Sequence, residues 1–357
     1  MAPLTLAWEV TRSCPLRCRH CRADAQYKRN PDELNTQEGI DLIEQAAELG
    51  AKIFVITGGD PLARKDIYDL ISEVSSTGMY VGFSPSVTPR LTAGTISKVK
   101  QSGVDTIHLS LDGASATIHD RFRGVDGSFV RTMRAIKDVS EAGIRLQIGT
   151  TVTSGDTDEL DALASLLQNC GSRIGSWTLF FLIPTGRGQS LQAPSPQDNE
   201  RILNWLATTD FPFHVRTVEG PAFHRVLKQS SSAKKLGMPL VTVGSGARPA
   251  VRDGDGFCFV SHVGDVLPSG FLQLSAGNVR HTPLVDIYRN SPLFRTLRDR
   301  DLLEGRCGSC EYRAMCGGSR ARAWSVNGSV TAEDPGCAYV PAGFDPAVVS
   351  KSLASAV

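Results

Sequence analysis

Three cysteines, Cys14, Cys18 and Cys21, lie in the run Cys14-Pro15-Leu16-Arg17-Cys18-Arg19-His20-Cys21, directly after an apolar stretch, Ala7-Trp8-Glu9-Val10, that reads as a strand. Structural zinc sites and closed iron–sulfur sites use a full set of four protein ligands, so a compact trio leaves one coordination position open. An open position on a metal is a place where something else can bind and react. Four further cysteines, Cys307, Cys310, Cys316 and Cys337, supply a complete set. On spacing alone that set suits zinc or a [4Fe–4S] cluster, with zinc the commoner outcome. Cys170 and Cys258 stand apart. Taken without other context, the two groups also describe a zinc-binding interaction protein, which is the non-enzyme reading.

The rest of the chain must position those thiols. Its 357 residues suit one large α/β unit with a smaller appendage. Lysine plus arginine (38) nearly balances aspartate plus glutamate (37), so no global field argues for a nucleic-acid or membrane partner. The N-terminus has no basic region followed by a long apolar run, and a cytoplasmic location is expected. Nine cysteines in such a chain point to metal binding rather than disulfides.

To about residue 190, β-rich runs alternate with amphipathic ones, the pattern of βα units around a parallel sheet. Strands are expected at 4–10, 52–57, 80–84, 106–110, 145–151 and 176–183, with helices near 36–49, 65–77, 93–102, 129–142 and 159–170. Six such units make a partial (βα)6 TIM-like barrel. Ligands of parallel α/β folds bind at the carboxyl ends of the strands, where the cysteine trio, Gly58-Gly59-Asp60-Pro61 and Ser110-Leu111-Asp112-Gly113 all fall. A connecting segment, 191–253, is expected to hold a helix and a polar loop or lid at 230–250. From 254 to 345 a smaller α+β domain should carry a hairpin about Gly264-Asp265, a helix near 284–298 and the cysteine quartet, before a tail at 346–357.

The spacing CxxxCxxC after a first strand resembles the signature of the radical S-adenosylmethionine (SAM) superfamily, and Thr57-Gly58-Gly59-Asp60-Pro61 resembles its GGEP turn. The resemblance implies a [4Fe–4S] cluster on Cys14, Cys18 and Cys21 whose open iron binds SAM, and reductive cleavage of SAM to a 5′-deoxyadenosyl radical that takes hydrogen from a substrate carbon. It implies that Gly58, Gly59 and Asp60 bind the SAM amino group, that Ser110 faces the ribose and carboxylate, and that His20 packs near adenine. Arg123 becomes a candidate carboxylate partner, or else a solvated loop arginine. A low-potential donor such as flavodoxin or ferredoxin would supply the electron.

The segment from Gly305 through Cys316-Gly317-Gly318-Ser319-Arg320-Ala321-Arg322-Ala323 to Asp334-Pro335-Gly336-Cys337 resembles the SPASM/twitch extension of that superfamily, which holds auxiliary clusters. Full members hold two, but here Pro268-Ser269 and Arg320 stand where further cysteines would be needed. One auxiliary [4Fe–4S] cluster is therefore expected on Cys307, Cys310, Cys316 and Cys337. Cys258 is then left either as buried packing or as a catalytic hydrogen donor facing the substrate. Together with Ala276-Gly277-Asn278-Val279-Arg280, this ending is most similar to radical SAM proteins of alternative haem and haem d1 synthesis, which act on porphyrin propionates. Arg320 and Arg322 would either pair with those carboxylates or cap a helix and tune the potential of the nearby cluster. Peptide maturases and small-metabolite enzymes share the same chassis. With only a dozen residues before Cys14 to hold a peptide, a small molecule or tetrapyrrole is the favoured substrate.

Overall fold

The structure, a computed structural model, describes residues 1–155, 157–170, 174–230 and 251–344. Seven strands run parallel in chain order: β1 (Thr5–Glu9), β2 (Ile53–Thr57), β3 (Tyr80–Phe83), β4 (Thr106–Ser110), β5 (Arg145–Val152), β6 (Ile174–Phe181) and β7 (His214–Val218). On the far side of β1 the sheet continues through β8 (Phe257–Val260), parallel to β1, and β9 (Val266–Leu267), antiparallel to β8. The order β7-β6-β5-β4-β3-β2-β1-β8-β9 leaves β7 and β9 as edges, an open partial barrel.

Helices α1 (Thr36–Leu49), α2 (Ile67–Ser76), α3 (Ala93–Gln101), α4 (Ala116–Arg123), α5 (Ser128–Glu141) and α6 (Thr157–Asn169) make the crossovers between β1 and β6. The first shows how sequence sets placement. Asn35 and Glu38 form a capping box at its start, and Gly50, at φ 93°, ends it in the left-handed region. Gly39 sits within it because a Cβ there would come 2.5 Å from the ring of Trp8 on β1. Trp8 is fully buried between sheet and helix, which contributes about 2–3 kcal/mol.

Burial alternates along the strands. In β2, Phe54 and Ile56 point into the helix-covered core, while Val55 and Thr57 are half-buried on the other face. The same holds for Val81 against Gly82 and for Leu109 against His108. Helices thus cover one face, and the inner face is only half-buried at Val55, Gly82, His108, Gln147, Thr151 and Phe180.

After β6 come α7 (Pro196–Thr208), capped by Ser195 and Asp198, and α8 (Phe223–Gln229) after β7. The C-terminal part holds α9 (Leu284–Asn290), α10 (Pro292–Arg298), α11 (Gly305–Ser309) and α12 (Arg320–Asn327).

Four expectations are corrected here. The strand β7 extends the six expected; its half-exposed sequence, His214-Val215-Arg216-Thr217-Val218, has the polar character of an edge. Helix α4 was not anticipated because only His119 of it is buried. The helix expected over 284–298 breaks at Ser291, since Pro292 has no N–H to continue it and starts α10 instead. The hairpin belongs to the main sheet, through Leu6 opposite Cys258, so the sheet crosses the expected boundaries at 190 and 254. The loop at 230–250, beyond Ser230, and the tail at 346–357 lie outside the described residues.

Candidate active site

The cysteine loop leaves β1 at its carboxyl end and has almost no regular structure of its own. It is held by its neighbours. Gly59 N–H donates to the Thr11 carbonyl and Asp60 N–H to the Ser13 carbonyl, both at 2.7 Å. A Cβ on Gly58 would lie 2.6 Å from the Thr11 oxygen, and one on Gly59 2.6 Å from that of Ser13. These glycines therefore admit the backbone of the cysteine loop. From the other side Arg187, after β6, donates through Nε to the Cys18 carbonyl (2.9 Å) and through Nη1 to that of Ala25 (2.9 Å). Gly186 has no room for a side chain against the carbonyls of Cys21 and Arg22. Cys14 and Cys18 pack with Leu16 and Ala25, and Cys21 and Val125 lie against them, so the trio shares one apolar cluster.

Ser86, in the loop after β3, ties two parts of this region together. Its hydroxyl donates to the Gly59 carbonyl (2.5 Å) and lies 3.5 Å from the Cys14 sulfur. The Asp60 carboxylate is fully buried, accepts from Leu62 N–H (3.2 Å) and the Thr88 hydroxyl (2.8 Å), and stands 3.7 Å from Arg90. Burial raises its pKa above the ordinary value.

Beneath the trio lies a buried ion pair. Asp112 accepts from Thr151 N–H (2.7 Å) through Oδ1, and its Oδ2 meets the Arg123 guanidinium at 2.7 Å. Arg123 also donates to the Cys18 sulfur at 3.5 Å. His119 accepts the Asp112 N–H at Nδ1 (3.1 Å), and His20 stacks on Phe122 with ring centroids 4.6 Å apart. Burial pulls His20, His108 and His119 each down to about 4, so all three are neutral at pH 7. Ser110 shares the inner face with His108, and its hydroxyl has no hydrogen-bond partner among the described residues.

Cys307, Cys310, Cys316 and Cys337 line one cavity, together with Arg225, Arg306 and Gly318. Gly317 and Gly318 both have positive φ (71° and 67°), and a Cβ on Gly318 would lie 2.9 Å from the Cys307 sulfur. Gly318 N–H faces the Cys316 sulfur at 3.4 Å and Asp334 N–H the Cys307 sulfur at 3.3 Å. Burial pushes the thiols of Cys307 and Cys310 up, Cys316 to about 12 and Cys337 to about 11. All nine cysteines are free.

Residues 8–167 match the radical SAM superfamily. Over 352 residues, covering 96% of this chain and 94% of the relative, the sequence is 41% identical to an AdoMet-dependent heme synthase of Nitratidesulfovibrio vulgaris. Over 345 residues, 94% of this chain and 87% of the relative, it is 40% identical to one from Oleidesulfovibrio alaskensis. The chain belongs to the radical SAM superfamily. Its fold resembles that of SuiB of Streptococcus suis solved with its precursor peptide SuiA, at TM-score 0.71 and 17% identity, over 95% of this chain and 76% of that one.

A radical SAM enzyme uses a [4Fe–4S] cluster and SAM, and the cysteine loop fits that use. Burial raises the Cys14 thiol above its ordinary value, so ionising it for ligation calls for nearby positive charge. Arg123 supplies part of that charge beside Cys18. No helix among the described residues is long and apolar enough to cross a membrane.

The arrangement revises several roles expected in this radical SAM chain. Arg123 is committed to Asp112 and Cys18, which makes it a support for the cysteine loop rather than a free carboxylate partner. The Asp60 side chain is satisfied within the protein, so what the turn presents is its backbone. Cys258 is fully buried on the helix-covered face, in the core that also contains Leu6 and Tyr288, with its thiol pushed up to about 12 by burial. That position is packing, away from the inner face, and corrects its candidacy as a hydrogen donor. Arg320 and Arg322, 1% and 6% exposed, are buried and engaged within the protein. Arg320 donates to the carbonyls of Val330 and Ala332, and Arg322 pairs with Asp334 and the Glu219 carbonyl, so neither is available to a porphyrin carboxylate. Ser86 and Asp112 went unassigned in the sequence; the Asp in Ser110-Leu111-Asp112-Gly113 was the available signal for the second, and nothing local marked the first.

Proposed function

We propose that this radical SAM enzyme acts on a tetrapyrrole bearing carboxylate side chains, and that Cys307, Cys310, Cys316 and Cys337 hold one auxiliary [4Fe–4S] cluster. The observation that carries the substrate class is the near-full-length likeness to heme synthases. When bound, the SAM-ligating cluster supplies the electron that cleaves SAM.

The chain's own residues divide the remaining work. Cys14, Cys18 and Cys21 ligate, and Arg187, Ser86 and the turn at Gly58-Gly59 fix the loop that carries them. Backbone of that turn and the free Ser110 hydroxyl are the groups offered to SAM at the strand ends. The half-buried inner face, with the rings of His108, Phe180 and Phe271 in tilted contact, gives an aromatic wall against which a large apolar ligand can pack. His108 is neutral there and brings no charge against it. A low-potential flavodoxin or ferredoxin is the electron donor in this reading.

Two measurements test it. Anaerobically reconstituted protein should hold about eight irons, and the triple change of Cys14, Cys18 and Cys21 to alanine should leave about four. Coproporphyrin-type ligand should raise 5′-deoxyadenosine formation above the substrate-free rate. Four irons in the unaltered protein would remove the auxiliary cluster, and an unchanged rate with every such ligand would remove the tetrapyrrole.

A further inference from the structure

With Arg320 and Arg322 committed elsewhere, any carboxylate-bearing ligand of the inner face needs another cationic partner. One is present where β1 ends. Glu9 is fully buried and is met by Arg12 Nε at 2.6 Å, Arg22 Nη1 at 2.9 Å and His262 Nδ1 at 3.2 Å. Two guanidinium groups thus share one carboxylate. The next acid, Glu33, is engaged by the Thr11 hydroxyl, Arg12 N–H and Arg29, and the far nitrogen of His262 meets Asn30. A net positive charge is left over.

Its position and free donors matter most. Arg22 lies over the ring of Phe259, 4.5 Å from the centroid, and Phe259 packs with Ala7 and Leu267 on the face opposite the helix-covered core. Gly270 leaves it space, since a Cβ there would come 2.9 Å from the guanidinium carbon. The Arg22 side chain is 18% exposed and that of Arg12 32%. Nε and Nη2 of Arg22, and both terminal nitrogens of Arg12, have no partner among the described residues and are not sealed from solvent. Arg22 also follows Cys21 directly, which sets these donors beside the cysteine trio.

We propose that Arg12 and Arg22, braced by Glu9, form a carboxylate-binding site that seats one carboxylate of the substrate at the inner face next to the cysteine loop. This rests on the tetrapyrrole reading and gives it an anchor. Charge-assisted guanidinium–carboxylate bonds are directional and twice as strong as neutral ones, so the site would fix the ligand's orientation as well as its affinity. The SAM carboxylate is the other source of the same chemistry.

Anaerobic titrations of the reconstituted enzyme with coproporphyrin III, with its tetramethyl ester and with SAM separate the possibilities. Arg22→Gln should weaken coproporphyrin III binding by roughly tenfold or more, leave ester and SAM binding unchanged, and keep full iron content. Arg22→Lys, which keeps a positive charge facing Glu9, should recover part of the affinity. Should Arg22→Gln fail to take up iron, Arg12→Gln must show the same acid-selective loss. Equal loss for acid and ester, a fall in SAM affinity alone, or no change would overturn the site. If the unaltered enzyme binds neither porphyrin, the tetrapyrrole reading falls and this site with it; if it binds the acid and the arginine variants bind it equally well, only the site falls.

Discussion

Replacing Arg123 by methionine isolates the buried pair beneath the cysteine loop. The side chains of Arg123 and Asp112 are 11% and 1% exposed and meet at 2.7 Å, so the variant strands a carboxylate away from water. Removing one partner of such a pair costs about 3–5 kcal/mol. For a domain of this size in urea, with a slope of roughly 3 kcal/mol/M or more, the unfolding midpoint should fall by about 1 M, read by far-UV circular dichroism on metal-free protein. The pH dependence gives the mechanism. In the native protein burial acts to raise the Asp112 pKa, but Arg123 and the nearby histidines bring it below its ordinary 3.8. Its stabilising share is therefore present above pH 3.8 and lost as pH falls through the lowered value. Without Arg123, burial alone raises that pKa, and the variant recovers relative stability on acidification as Asp112 takes up a proton. The difference between the two proteins should be largest near pH 7–8 and shrink toward pH 5. Asp112→Asn combined with Arg123→Met should regain at least half of the loss, because the amide still accepts from Thr151 N–H. Equal destabilisation at pH 8 and pH 5, or a double variant no better than the single one, would refute the reasoning.

Gly59→Ala should displace the cysteine loop, since its Cβ would lie within 2.7 Å of two backbone oxygens, and reconstitution should then lose the iron of that loop while keeping that of the C-terminal quartet. Cys258→Ala should keep full iron content and substrate-independent SAM cleavage, at a stability cost of about 1–2 kcal/mol; loss of iron in elemental analysis would contradict its place in the core. His119, fully buried, is brought by burial from 6.5 down to about 4, so the unfolded chain protonates first and stability should be lost as pH falls from 6.5 toward 4. Between pH 7 and pH 5 its share is about 2 kcal/mol, and His119→Gln should flatten the measured slope by that amount.

Much of this was legible in the sequence because the signals were local. The alternation of β-rich and amphipathic runs located six strands, and the Cys14, Cys18, Cys21 spacing located the site that they surround. The strand β7 was not legible, because an edge strand alternating His214, Val215 and Arg216 carries little hydrophobic signal. Helix α4 buries only His119, and its eight residues are too polar overall to stand out as a core-facing helix. Reading Arg123, Arg320 and Arg322 as ligand-facing failed for a different reason. An arginine's partner is decided by how the chain folds back: Asp112 and the carbonyl of Val330 lie only about ten residues from their arginines but across a turn, and the carbonyl of Glu219 lies about a hundred residues from Arg322. The same holds for Gly58 and Gly59, whose neighbours are the carbonyls of the cysteine loop.

The manner in which that loop is held has a consequence for how the enzyme is made. Residues 10–26 are fixed by the turn at 58–60, by Arg123 and by Arg187, so the earliest ligands to be synthesised wait for partners that arrive more than a hundred and sixty residues later. At roughly 5–20 residues per second, the nascent chain spends on the order of ten seconds or more with Cys14, Cys18 and Cys21 free. During that interval they are open to oxidation or to a stray metal ion. Iron delivered before β6 and its loop have emerged would meet three thiols with no fixed geometry. The order of synthesis accordingly predicts that the loop takes up its cluster only after the barrel has formed, so chains truncated before Arg187 should bind iron weakly in anaerobic reconstitution.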